Sequence, residues 1–214
     1  MRNGHSKNGA ATGRRDLERA HRRQHILAAA ERVFGRTPFD EASMQQIGAE
    51  AEIGMQGVYE QFSSKQLLYE AVVLRRLEAL ASQAEAAPRS ADALTRLRAL
   101  TVLYATFFLK APQFLSLYAR DKISYDWGLE TRFRPRVGRA LGLEEKRIGR
   151  ALEDAVKAGH LRPLDPRLLV DLATGIFQAV LTHRVLRGKG KAETVESCAD
   201  LMMDLFLSGA GARP

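Results

Sequence analysis

The chain is short of nearly everything that marks an exported, membrane-spanning or metal-holding protein. It has one cysteine, Cys198, in 214 residues, which excludes a disulfide framework and any all-cysteine metal site. Its longest strongly apolar stretch, Ala99 to Leu109, is 11 residues, about half of what a membrane-spanning helix needs. The first 20 residues hold no apolar run and so do not read as an export signal; the expected location is the cytoplasm, with no membrane partner. Histidines 5, 21, 25, 160 and 183 show no metal-ligand spacing, and the His21/His25 pair lacks the glutamate of a metalloprotease helix. No glycine-rich phosphate cradle is present, since Gly188-Lys-Gly reads as a helix-ending turn. Neither an enzyme nor a bound cofactor is expected. Alternating strand patterns are missing too, which leaves helix as the only regular structure.

What remains is substantial. Hydrophobic residues make up 45%, enough to bury a sizeable core and to exclude disorder of the whole chain. Lys and Arg number 33 against 25 Asp and Glu, a formal net charge of +8. Such a balance is compatible with a polyanionic partner and does not establish one. The charge is also unevenly spread. Residues 1–24 carry seven basic and two acidic side chains, whereas 25–65 carry three basic and six acidic. Residues 1–20, rich in Gly, Asn, Ser and Arg without hydrophobic periodicity, read as a flexible basic arm.

From there the helical period takes over. Ile26, Leu27, Ala30, Val33 and Phe34 form one stripe, closed by Gly35 and Thr37-Pro38. Ser43 followed by Gln46 has capping-box spacing and opens a second helix with Met44, Ile47 and Ala51 inward. A break at Glu52–Gly54 leads to a third short helix with Val58 and Tyr59, ending at Phe62. Ser63 and Gln66 repeat the cap spacing before a long helix to about Ala86. Prolines punctuate the rest into helices near 90–110, 112–122, 124–141, 144–158, 165–187 and 192–208. The first of these is apolar on more than one face and should be central. The expected class is all-α, with an N-terminal three-helix unit over 21–66 and a larger helical body over 67–214.

Residues 43–62 have the arithmetic of a helix-turn-helix. Ile47, Ala51, Ile53 and Val58 fit the buried set, while Met55, Gln56, Gly57 and Glu60 fit an outward face. A helix of this width matches the major groove of DNA. The longer run Arg22 to Val72 resembles the N-terminal DNA-binding domain of TetR-type transcriptional regulators. The likeness is carried by Ile26–Phe34, Phe39, Ser43, Ile47-Gly48, Ala51, Tyr59-x-x-Phe62 and Lys65-x-x-Leu68. It implies phosphate contacts from Ser43, Tyr59 and Lys65, and base contacts from residues 54–57, with Gln56 the clear reader and Gln61 beside it. The chain departs from the pattern at Glu52, where the turn usually has Gly, at Gly54, where a Ser or Thr cap is usual, and at Gln56, where a small residue is usual. Glu52 should therefore adopt a backbone conformation cheaper for glycine, and Gly54 should cap weakly. Arg14, Arg15, Arg19, Arg22 and Arg23 are expected to supply much of the attraction for phosphates.

In that family the body forms the dimer and an effector pocket. Leu168–Arg187 and Thr194–Leu207 carry apolar residues beyond one helix face, which fits a homodimer through the two C-terminal helices. Tyr104, Phe107, Phe108, Phe114, Tyr118, Trp127 and Phe177 are the candidate pocket aromatics, with Arg120, His183 and Arg184 as candidate polar partners. Ordinary core packing is the alternative for each aromatic. Cys198 reads as a small buried hydrophobe, and the basic run 132–150 as a solvated helix face. The implied function is a ligand-responsive repressor released from a palindromic double-stranded DNA operator by a small apolar or amphipathic effector. An activator, an effector-independent DNA-binding protein and a helical interaction module stay open as alternatives.

Overall fold

A computed structural model describes residues 6–85, 92–123, 135–184 and 194–211, and the side chains of these apart from 6–13 and 119–123. Apart from an isolated bridge between Leu161 and Gly211, the regular structure among the described residues is helical. The chain divides into two compact units, Met1–Val72 and Val73–Pro214.

The first unit holds α1 (Ser6–Arg36), α2 (Met44–Glu50), α3 (Met55–Gln61) and the opening turns of α4 (Lys65–Glu85). Its core is the expected α1 stripe closed against α2, α3 and α4: Ile26, Ala30, Phe34, Ile47, Val58, Leu68 and Val72 are all buried. Full burial of such a side chain is worth about 1.5–3 kcal/mol. Phe34, Phe39 and Tyr69 add an aromatic trio with centroids 4.9–6.1 Å apart. The division at Val72 lies six residues beyond the expected boundary, because the α4 residues Leu68, Tyr69 and Val72 belong to this core.

For residues 6–20 the structure corrects the reading as a flexible arm, since α1 begins at Ser6, and residues 1–5 lie outside the described residues. Every residue from Arg14 to His25 is exposed, so this part of the helix needs no apolar stripe, and a periodicity test has nothing to find. Good helix formers and an Arg14–Glu18 pair one turn apart, at 3.6 Å, serve it instead.

The second unit holds the rest of α4 with α5 (Ala93–Leu109), α6 (Pro112–Ile123), α7 (Pro135–Lys157), α8 (Pro166–Thr182) and α9 (Val195–Ala210). α5 packs against α6, α7, α8 and α9, the central place its apolar faces predict. Asp92, Asp165 and Thr194 cap α5, α8 and α9 by accepting backbone N–H bonds. Leu97, Leu152, Leu161, Leu169 and Phe206 lie in one core cluster. Arg96–Asp154 at 2.9 Å and Arg98–Asp200 at 2.6 Å tie α5 to α7 and α9. A second correction concerns 124–158. Residues 124–134 lie outside the described residues, and from Pro135 a single helix runs through the expected break at 141–144. Pro135 starts that helix, where its missing N–H costs nothing, and Gly142 is tolerated in its interior. Cys198 is buried, as expected of a small hydrophobe.

Candidate nucleic-acid interface and ligand cavity

In the first unit α2, a tight turn and α3 form the expected helix-turn-helix. Ser43 caps α2: its Oγ accepts from the Gln46 N–H at 3.1 Å, and the Gln46 Oε1 accepts from the Ser43 N–H at 2.8 Å. The turn closes tightly over Gly48, where a Cβ would sit 2.9 Å from the Ile53 carbonyl oxygen. Glu52 has φ 53, the one non-glycine residue in the left-handed region among the described residues, as its place in the turn demanded. Gly54 caps α3 with no side-chain bond, also as expected.

α3 presents Met55, Gln56, Tyr59 and Glu60 to solvent, with Met55 39% and Tyr59 48% exposed. Gln56 Nε2 donates to Glu60 Oε1 at 3.2 Å, which orients the amide along the helix face. Val58 and Phe62 are buried inward. Two positions differ from expectation. Ile53 is only half-buried, and Gly57 faces inward, where a Cβ would lie 2.9 Å from Ile53 Cγ2. Gly57 therefore separates Gln56 from Tyr59 on the outer face and offers no edge of its own.

Lys65, expected at a phosphate, is engaged within the fold. Its Nζ donates to the carbonyls of Phe39 at 2.7 Å, Ala42 at 2.8 Å and Asp40 at 3.3 Å, and lies 4.6 Å from the Phe39 ring centroid. An ammonium has three donors, and all three are spent on the α1–α2 loop. In this structure the side chain clasps the α1–α2 loop. Arg23 divides its role similarly: Nη1 donates to the Gln61 carbonyl at 3.1 Å, and the guanidinium stands 4.1 Å over the Phe62 ring. Half-buried Gln61 thus takes part through its backbone. Arg32 and Arg36 both bind Glu50, at 2.6 and 2.5 Å, fixing α2 to α1. Those hydrogen bonds, from Arg32 first and then Arg36, hold the Glu50 carboxyl below its ordinary range. Among the described residues, Arg14, Arg15, Arg19 and Arg22 on α1 also face solvent.

The second unit has a partly open cavity of about 100 Å³ between α4, α5, α6, α7 and α8. Leucines from α4, α5, α6 and α7 contribute to its wall, with Tyr104, Phe108, Tyr118 and Phe177 as ring faces and Thr101, Thr174 and Gln178 as neutral polar groups. Four of the seven expected aromatics therefore line it. Phe107 and Phe114 do not; they pack as core rings, 6.1 Å apart and edge to face, and Trp127 lies outside the described residues. His183 and Arg184 are not on the wall, and the Arg120 side chain is not described.

Sequence reasoning missed Glu144. This wall residue is only 7% exposed, accepts a 2.6 Å hydrogen bond from Tyr104 Oη and meets Arg147 Nη1 at 3.3 Å. Arg147 in turn donates to the Ala81 carbonyl and approaches Glu85, both on α4. Burial, followed by the bond to Glu144, pushes the Tyr104 hydroxyl well above its ordinary pKa, so it stays a donor. The signal was present in the sequence: Val137, Leu141, Ile148 and Leu152 make an apolar stripe on α7, and Glu144 stands on it.

Comparison with known proteins places these features in context. The family described as bacterial regulatory proteins, tetR family, matches residues 26–72. The HTH-type transcriptional repressor NicS of Pseudomonas putida is 30% identical over 159 residues, covering 72% of this chain and 70% of the repressor. Among solved structures, a TetR-like transcriptional regulator from Rhodococcus sp. RHA1 is 26% identical with a TM-score of 0.66, over 88% of this chain and 94% of that one. The ketosteroid transcriptional regulator KstR2 of Mycobacterium tuberculosis shares the fold at 19% identity and a TM-score of 0.70, over 90% of this chain and 96% of that one.

Proposed function

The chain belongs to the tetR family of bacterial regulatory proteins and is a transcriptional regulator, and from that premise we propose that it is a homodimeric repressor which a small molecule in the body cavity releases from its operator. The observation that carries the DNA part is the outward face of α3. Met55, Gln56 and Tyr59 stand exposed on a seven-residue helix whose other side is buried, the arrangement a major-groove reader requires. Gln56 can bond an adenine edge bidentately, and the Tyr59 hydroxyl and the capped start of α2 at Ser43 reach phosphates. Exposed Arg14, Arg15, Arg19 and Arg22 on α1 provide the sequence-independent attraction that the acidic helix-turn-helix lacks.

The dimer reading rests on two rows of exposed apolar side chains on neighbouring helices of the body. Leu168 and Leu172 on α8 are 46% and 39% exposed, and Leu201 and Leu205 on α9 are 37% and 48%. Gly175 and Ala179 continue the α8 row and permit close helix approach. Two copies pairing these rows bury leucines that water now faces, and two reading heads suit a palindromic operator. A gel shift on the DNA flanking its own gene tests the function. Specific binding that Gln56→Ala and Tyr59→Ala together abolish, with unfolding midpoints unchanged, is the expected result. Binding that survives both changes at moderate salt would contradict the assigned face.

A further inference from the structure

We propose that the body cavity takes an organic cation, an ammonium or amidinium carried on an apolar frame, with the Glu144 carboxylate as its counter-charge and the rings of Tyr104, Phe108, Tyr118 and Phe177 as its cage. The inference rests on the reading of the body as an effector domain and sharpens it to one ligand charge.

The charge on the wall is one-sided. Glu144 and Glu145 line the cavity, and no Lys, Arg or His does among the described lining residues. Arg147 approaches Glu144 from outside that lining and divides itself between Glu144, Glu85 and the Ala81 carbonyl. Both hydrogen bonds that Glu144 accepts, from Tyr104 at 2.6 Å and Arg147 at 3.4 Å, fall on Oε2. Among the described residues Oε1 has the 3.3 Å approach of Arg147 and no further partner. A carboxylate offers about four lone-pair sites, so a ligand N–H or an alkylammonium can meet Oε1 without displacing either partner. Tyr104 and Arg147 hold the carboxylate in place for that contact.

The rings supply the second half of the recognition. Phe177 stands 6.2 Å from Tyr104 and 5.9 Å from Phe108, and Phe108 lies 5.0 Å from Tyr118, centroid to centroid. These four rings line one small space, and a π face within about 6 Å attracts a desolvated cation. An anion entering the same space would meet the Glu144 carboxylate, and a neutral hydrocarbon would make no use of Glu144 Oε1.

Calorimetric titration of the full-length protein tests the assignment with three probes of similar size: phenyltrimethylammonium, its neutral isostere tert-butylbenzene, and benzoate. The cation should bind at least about tenfold more tightly than either of the others, the factor expected for one charge-assisted contact. Glu144→Gln should erase that preference while the affinity for tert-butylbenzene stays put. Phe177→Leu keeps an apolar wall but removes a π face, and should weaken the cation alone by about fivefold; it serves as the test should Glu144→Gln not fold. Equal or tighter binding of the neutral or anionic probe overturns the cation assignment and leaves a ligand cavity standing. Failure of all three probes to bind overturns the cation assignment and the effector reading together.

Discussion

Lys65 ties together three carbonyls that lie 23 to 26 residues earlier in the chain. A hydrogen bond to a charged group contributes about 1.5–3 kcal/mol, and a carbonyl left without a donor adds a desolvation cost. Lys65→Met keeps the stem but removes the donors, so it should lower stability by about 3 kcal/mol in urea unfolding. DNA binding measured well below the unfolding midpoint should keep its salt slope, because the same phosphates stay neutralised; a slope flatter by about one would return Lys65 to the phosphate backbone. Glu52 offers the opposite test. A left-handed conformation costs a non-glycine residue about 1–2 kcal/mol, and glycine gives back about 0.5–1 in unfolded-state entropy. Glu52→Gly should therefore stabilise the chain by about 0.5 kcal/mol, and a loss of stability would show that the Glu52 side chain holds the turn in a way its backbone does not reveal.

At the scale of the helices, the position of α2 depends on Arg32 and Arg36 gripping Glu50. The Glu50 carboxyl is held below its ordinary value of 4.5, so its ion pairs contribute fully above that value. Their contribution is lost as pH falls through the lowered folded one. Thermal unfolding followed from pH 7 downward should show a loss of stability starting below about pH 4.5. Glu50→Gln should flatten that part of the profile, and an unaltered profile would remove Glu50 from the account. α3 begins with less support, since Gly54 gives its N-terminus no side-chain bond. A Cβ at Gly54 meets nothing within 4 Å, so Gly54→Ser fits and should add a few tenths of a kcal/mol. Hydrogen exchange at the α3 amides should slow accordingly.

At the scale of the molecule, the two exposed leucine rows on α8 and α9 set the expected assembly. Leu172→Glu and Leu205→Glu together should shift sedimentation from dimer to monomer and weaken operator binding. Little effect is expected on helix content, because both leucines already face water in the single chain. Removing residues 1–20 should lower DNA affinity and flatten its salt dependence by about one for each phosphate no longer neutralised. The sequence was most informative where a helix buries a face. The stripes of α1, α4 and α5, the Ser43–Gln46 cap and the strain at Glu52 are all local patterns with a fixed period or position. It was silent on the Arg14–His25 stretch of α1, whose side chains are all exposed, and on the bonds of Lys65, whose partners are distant in sequence. Glu144 lies between these cases, an acid on an apolar stripe that composition had folded into a basic run.

The single thiol is also a clock. Cys198 on α9 is 2% exposed, so a maleimide can reach it only when the body opens, and the reading head contains no thiol to confuse the signal. Under slow-labelling conditions the alkylation rate reports the opening free energy of that one unit. Any small molecule that occupies the cavity should slow alkylation in proportion to its occupancy, which turns a buried thiol into a direct gauge of ligand binding that needs neither DNA nor a partner gene.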